Sequence, residues 1–156
     1  MTATFRNVDV PDRAPVRDWP YEAIVTVIER GLIGDWAQLT REIRRDPWGP
    51  VARQVGAYLG YERPRGVAPL LERAIASARA ESVASERAEV AREVEELVRR
   101  SGLTSSAFAE HIGTSAPRLS TYRAGKVTPS AALLVRMRRL VDRLATEPRA
   151  SQPRHG

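Results

Sequence analysis

The chain has 156 residues, no cysteine, two distant histidines (His111 and His155) and a formal net charge of +6 at pH 7. The length suits one domain or two small ones, while the absence of cysteine excludes disulfides and thiolate metal sites. No apolar run approaches the ~18 residues that a membrane span needs, and the N-terminal stretch MTATFRNVDVPDRAP has no apolar core. We therefore expect a cytoplasmic protein with no signal peptide, no membrane segment, no metal and no cofactor.

The positive charge is confined to the last third of the chain. Residues 1–101 contain 16 Arg and 16 Asp or Glu, which cancel, whereas residues 102–156 contain 8 Arg and Lys126 against 3 acidic residues, or 9 − 3 = +6. A neutral part joined to a basic part favours a polyanion as the partner of the basic part. The alternative is a generic basic surface in an arginine-rich proteome.

The N-terminal half predicts a small helical unit over residues 18–80. Residues 1–17 are polar and contain two prolines, which indicates a flexible arm. The segments DWPYEAIVTVIERG and DWAQLTREIRR each place apolar residues on one face and predict the first two helices. In DPWGPVARQVGAYLG, Asp46 is the predicted cap and Pro47 the first helical residue. A fourth helix is predicted to begin near Val67 or Pro69.

All three tryptophans of the chain, Trp19, Trp36 and Trp48, lie in this unit. One interpretation makes them core anchors of the bundle. The other places one or two of them on a protein-contact surface, where aromatic residues are enriched.

Between about 69 and 101 nothing in the sequence breaks a helix. Pairs such as Glu89 with Arg92 and Glu95 with Arg99 have helix-supporting spacing. The apolar stripe fades over 81–89 and then resumes, so no sustained heptad seam exists. We expect 81–89 to be a solvated helical connector, or a break between two helices, rather than a coiled coil.

Residues 101–134 read SGLTSSAFAEHIGTSAPRLSTYRAGKVTPSAALL and predict two short helices joined by a tight turn. Thr104 and Ser115 are predicted caps, Gly113 makes the turn, and Gly125 ends the second helix. Pro117 falls in the first turn of that helix, where proline is tolerated. The predicted inward residues are Phe108, Ala109, Ile112, Leu119 and Tyr122. Thr114, just after the glycine, is a mild departure from an apolar pattern.

These positions resemble the Cro/phage-repressor-type helix-turn-helix family, also called the xenobiotic-response-element family. The match covers about residues 87–145 and rests on SGLT, FAEHIGTS and LSTYRAGKVTPS, whereas the N-terminal half resembles no family we recognise. The resemblance implies a five-helix DNA-binding domain. Together with the helical unit predicted over residues 18–80, we expect an all-α protein in which this N-terminal bundle is joined by a long helix or helical connector to the DNA-binding domain. The segment SAALLVRMRRLVDRLA would form its last two helices, separate or merged, and residues 146–156 a disordered tail.

The family inserts its second motif helix into the major groove of DNA. By position, the resemblance implies base contacts from Ala116, Pro117, Arg118, Ser120 and Thr121. Ala116 and Pro117 lack hydrogen-bonding side chains, so direct readout depends on Arg118 and Thr121. Arg118 alternatively contacts phosphate or solvent.

Phosphate contacts are expected from residues at helix N-termini and after the second helix. These are Thr104, Ser105, Ser115, Arg123, Lys126 and Thr128. In the last helix, Arg136, Arg139 and Arg143 form a basic stripe that faces either solvent or the DNA backbone. We expect His111 to be a surface residue.

The predicted function is a bacterial, nucleoid-associated transcriptional regulator that binds double-stranded DNA, as a homodimeric repressor on a palindromic operator. The N-terminal half would dimerise, sense a signal or bind a signalling protein. One alternative is an antitoxin that binds a toxin through its N-terminal half and autoregulates its operon. Another is an interaction protein that uses the motif as a scaffold. An enzyme is not expected, because the candidate carboxylates of the N-terminal half each have a nearby arginine or a capping position. These are Asp18, Glu22, Asp35, Glu42 and Asp46.

Overall fold

The computed structural model describes residues 14–147, which are α-helical without any strand in that range. The all-α prediction is therefore confirmed for these residues. In chain order they form a 3-10 helix, Val16–Asp18, and α1 (Tyr21–Arg30), α2 (Ile33–Arg45), α3 (Pro50–Tyr61), α4 (Val67–Ser101), α5 (Ser105–Ile112), α6 (Ala116–Arg123) and α7 (Ala131–Thr146). Residues 1–13 of the predicted arm and 148–156 of the predicted tail lie outside the described residues. The chain divides into two compact units between Val83 and Ala84.

The first unit packs α1, α2, α3 and the start of α4 around one apolar core. Its fully buried side chains include Ile24, Ile28, Leu39, Ile43, Val55 and Leu71. The 3-10 helix belongs to this packing, because Ala14 and Val16 are partly buried against the core. Ordered structure thus begins before residue 18, earlier than predicted.

The three tryptophans have different environments. Trp19 is buried and its indole Nε1 donates to the carbonyl of Ala14 (2.9 Å). Trp36 is half-buried and donates to the carbonyl of Val27 (2.9 Å). Trp48 remains 53% exposed, with the Arg79 guanidinium 4.6 Å from its ring centre. The core interpretation holds for the first two tryptophans and not for Trp48.

Helix α3 begins at Pro50 with Gly49 as its N-cap, so the predicted start at Asp46 and Pro47 is wrong. A helix starting at Pro47 would need the N–H of residue 50 to bond the Asp46 carbonyl, and proline has none. Proline also disfavours helical conformation in the residue before it, here Gly49. The Asp46 carboxylate lies so close to Gly49 that an added Cβ would be only 2.1 Å from Oδ2. A side chain at position 49 would therefore require the Asp46 carboxylate to move.

Helix α4 is continuous over 35 residues, and residues 81–89 within it are almost entirely exposed. Residues 81–89 are therefore helical and exposed, and the predicted break between two helices is wrong. Although α4 is long, no helix among residues 14–147 is apolar enough over a sufficient length to cross a membrane.

The second unit packs the end of α4 with α5, α6 and α7 around a separate core. The largest fully buried side chains are Phe108, Ile112, Leu119, Met137 and Val94. Residues 131–146 form the single helix α7, which corresponds to the merged alternative. This unit therefore has four helices, one fewer than the resemblance implies.

Candidate nucleic-acid interface

Helices α5 and α6 are delimited by local hydrogen bonds that the sequence predicts. Thr104 Oγ1 accepts from the Ala107 amide (3.2 Å), and Ser115 Oγ accepts from the Arg118 amide (3.3 Å). Between them Gly113 adopts the left-handed conformation, φ 76° and ψ 37°, which glycine enters without steric cost. The amide of Thr114 then bonds back to the Ala109 carbonyl (2.9 Å), which closes the end of α5.

The inward faces of the two helices are apolar, as predicted. All five predicted inner residues are buried: Phe108, Ala109, Ile112, Leu119 and Tyr122. Ala109 is 1% exposed, so a larger side chain there would collide with the packed core. Thr114 is half-buried. With this face in the core, the opposite side of α6 remains available to a ligand.

The outward face of α6 contains the five predicted base-contact residues. Pro117, Arg118 and Ser120 are exposed, while Ala116 and Thr121 are half-buried. The Thr121 hydroxyl donates to the Arg118 carbonyl (2.7 Å), so its free lone pairs can still accept a hydrogen bond. No residue within 14–147 forms an ion pair with the Arg118 guanidinium. Arg118 is thus the cation on this helix that is available to an external acceptor.

Arg123, at the end of α6, is bound within the unit. Its Nε and Nη2 donate to the two carboxylate oxygens of Glu95 (2.5 and 2.9 Å), and Nη1 donates to Ser105 Oγ (2.7 Å). Because of these hydrogen bonds, the pKa of Glu95 lies below its ordinary value and that of Arg123 above its own. One side chain thereby connects α4, α5 and α6, which restricts the orientation of α6.

The other predicted phosphate-contact residues lie around α5 and α6. Thr104, Ser115, Lys126 and Thr128 are exposed, and Ser105 is half-buried. Lys126 lies three residues after the end of α6. Its amide donates to the Thr121 carbonyl (3.0 Å), which fixes the backbone of the turn. Thr104, Ser105 and Ser115 lie at the starts of α5 and α6, where free backbone N–H groups favour anions. Lys126 and Thr128, which follow α6, add a cation and a hydroxyl.

The basic stripe of α7 is not uniform. Arg136 Nη1 donates to the Ile112 carbonyl at the end of α5 (3.3 Å), and Arg138, outside the predicted stripe, pairs with Glu93 of α4 (2.6 Å). Arg139 and Arg143 are exposed and have no ion pair among the described residues. Two of the three predicted stripe residues therefore remain available to a partner.

His111 is exposed, as predicted, and its Nδ1 lies 2.7 Å from the Ala107 carbonyl. Within residues 14–147 no group of three or more His, Cys, Asp or Glu side chains is arranged to hold a metal ion.

Sequence reasoning missed the arginine–carboxylate pairs that connect helices. The predicted pair of Glu95 with Arg99 is wrong, because Arg99 binds Glu96 (2.6 Å) and Glu95 binds Arg123. Glu95 and Arg123 are 28 positions apart. Helical spacing identifies only partners three or four residues away, so no local signal indicated this contact.

No family model matches this chain, and neither the curated proteins nor the solved structures contain a significant match to it.

Proposed function

We propose that the second unit is a repressor-like helix-turn-helix domain that binds double-stranded DNA with α6 in the major groove. The protein would be a sequence-specific transcriptional regulator, acting as a dimeric repressor on a palindromic operator. The observation that carries this proposal is the contrast between two arginines of α6. Arg123 is bound to Glu95 and Ser105, whereas the exposed Arg118 has no ion-pair partner among the described residues.

In this proposal Arg118 donates two hydrogen bonds to a guanine edge, the commonest specific contact in the major groove. Thr121 accepts from an exocyclic amine, since its proton is already donated to the Arg118 carbonyl. Ala116 and Pro117 offer apolar contact to a thymine methyl group, and Ser120 extends the exposed polar face.

Phosphate contacts come from the residues that flank this face. Thr104, Ser115, Lys126 and Thr128 are exposed near helix ends, where backbone N–H groups and a cation attract the DNA backbone. We assign Arg123, and with it Ser105, to holding α6 in position, because their side chains are already bound to each other. The +6 charge of residues 102–156 supports the same partner.

The first test is selection of duplexes from a random library, followed by affinity measurements across salt concentrations. We expect one enriched sequence with two-fold symmetry and half-sites about one helical turn apart. Its affinity should fall steeply between about 50 and 200 mM salt, because bound phosphates release counterions. No enriched sequence, together with negligible affinity for any duplex at about 50 mM salt, would refute DNA binding.

The second test compares Arg118→Ala with Lys126→Ala on the selected operator. R118A should cost about 1–3 kcal/mol and relax preference at one base pair in each half-site. K126A should weaken all duplexes equally and lower the salt slope by about one. Arg65→Ala, an exposed substitution in the first unit, is the control and should leave affinity unchanged. If R118A instead lost affinity equally for duplexes of every sequence, Arg118 would contact phosphate rather than a base.

A further inference from the structure

The first unit has an open apolar groove between α2 and the first half of α4. Its volume is about 580 Å³. Three large apolar side chains line it: Trp36, Ile33, which is 80% exposed, and Leu70, which is 47% exposed. Apolar side chains of this size exposed together mark a surface that binds another molecule.

The α4 side of the groove has small residues at its centre. Ala74, Ser77 and Ala78 line it at helical spacing, so they form one narrow stripe along α4. Small side chains let a second helix approach closely, near the lower end of the usual 8–10 Å interaxial distance. The stripe thus suits another helix better than a compact small molecule.

Two unpaired charges flank this stripe symmetrically. Arg73 lies four residues before Ser77 and Glu81 four residues after it, and both line the groove. Neither forms an ion pair within residues 14–147. They are about 12 Å apart along α4 and therefore do not satisfy each other. The remaining charged residue of the lining, Arg44, lies on α2.

This pattern is complementary to itself. If a second α4 lies antiparallel across Ser77, the two-fold axis places Arg73 of each copy opposite Glu81 of the other. Such isologous contact is the usual geometry of homodimers. We propose that this groove is the homodimer interface, with α4 of a second copy as its occupant. The dimer forms without DNA, so its test does not depend on the proposed function.

The test uses the full-length chain in sedimentation-velocity experiments over a range of concentrations without DNA. Wild type should dimerise. R73E and E81R each bring like charges together at both ends of the interface, so each should weaken the dimer at least about 10-fold. Both positions are exposed, and circular dichroism checks that each variant is folded. R65E, an exposed reversal outside the groove, is the matched control and should dimerise like wild type.

Restoration of the dimer distinguishes this geometry from a general charge effect. The double variant R73E/E81R should dimerise again, because each opposing pair regains opposite signs. An equimolar mixture of R73E and E81R should form a heterodimer that is tighter than the homodimer of either variant alone. A monomeric wild type would overturn the proposal and leave the groove to a different protein partner. A dimer that persists in both single variants, or a mixture that remains monomeric, would also overturn it.

Discussion

The two units begin their helices by different means. In the second unit Thr104, Ser115 and Ser130 each accept a hydrogen bond from an amide three residues later. In the first unit the N-caps of α1, α2 and α3 are Pro20, Leu32 and Gly49, and none makes a side-chain cap bond. At the start of α2, the Asp35 carboxylate accepts from the Leu32 amide (3.0 Å). Hydroxyl caps are local signals, so the second unit was the easier one to interpret from sequence.

The bonds between helices differ as well. In the first unit the Tyr58 hydroxyl donates to Glu29 Oε1 (2.6 Å), connecting α3 with α1. In the second unit Arg123 pairs with Glu95 of α4, and Arg138 pairs with Glu93 of α4. Between helices, the first unit therefore uses the hydroxyl of an aromatic side chain, whereas the second unit uses guanidinium–carboxylate pairs. The following four measurements, from the largest expected effect to the smallest, test this comparison.

Phe108→Ala should have the largest effect, because it removes a fully buried ring from the core of the second unit. We expect a loss of about 3–5 kcal/mol in the free energy of unfolding, measured with urea by circular dichroism. Val135→Ala, an exposed position in the same unit, should change little. All three tryptophans lie in the first unit, so their fluorescence should report a smaller change. An equal shift in fluorescence would mean that the two units unfold together.

Tyr58→Phe removes the hydrogen bond from the Tyr58 hydroxyl to Glu29 in the first unit. It should lower the free energy of unfolding by about 1–2 kcal/mol at neutral pH. Burial, then the bond to Glu29, raises the pKa of Tyr58 from 10.0 to about 12. The folded-state pKa is the higher one. The stability from the protonated hydroxyl is therefore complete below pH 10 and is lost as pH rises toward 12. Urea unfolding between pH 10 and 12 should show the free energy of unfolding of wild type falling toward that of Y58F. A difference between the two proteins that stays constant over this range would contradict the role given to the Tyr58 hydroxyl.

Ser115→Ala removes the hydroxyl cap of α6 and should lower the free energy of unfolding by about 1 kcal/mol. Ser106→Ala is the matched control, because Ser106 is exposed within α5 and caps nothing. Thermal unfolding of the two variants side by side decides the outcome. If S115A is as stable as S106A, hydroxyl caps do not distinguish the two units.

Glu95→Gln should have the smallest effect, about 0.2–1 kcal/mol, because the pair with Arg123 is partly exposed to solvent. The hydrogen bond from Arg123 lowers the pKa of Glu95 from its ordinary 4.5. The free energy of unfolding of wild type should therefore exceed that of E95Q at neutral pH. This difference should disappear as the pH falls below 4.5 and through the lowered pKa of Glu95. Glu96→Gln, which breaks only the local pair with Arg99, is the control. Hydrogen exchange in α6 should accelerate in E95Q alone.

Much of the fold was predictable from the sequence where the signals involve residues that are close together along the chain. The boundaries of α5 and α6 follow from Thr104, Gly113 and Ser115, whose bonds span at most five residues. The inward residues followed from helical periodicity, because a 3.6-residue repeat needs no knowledge of the partner helix. The start of α3 was mispredicted because two signals compete there, a possible cap at Asp46 and the constraint of Pro50.

The sequence by itself determined the helical class, the short helix pair and the five residues on the outer face of α6. Only the tertiary structure decided that Arg123 is bound, because Glu95 approaches α6 from 28 residues away. It likewise decided that Arg118 has no ion-pair partner among residues 14–147. The groove likewise exists because folding places α2 and α4 on its two sides. Local rules describe contacts within one helical turn, whereas the availability of a side chain depends on distant segments that packing brings together.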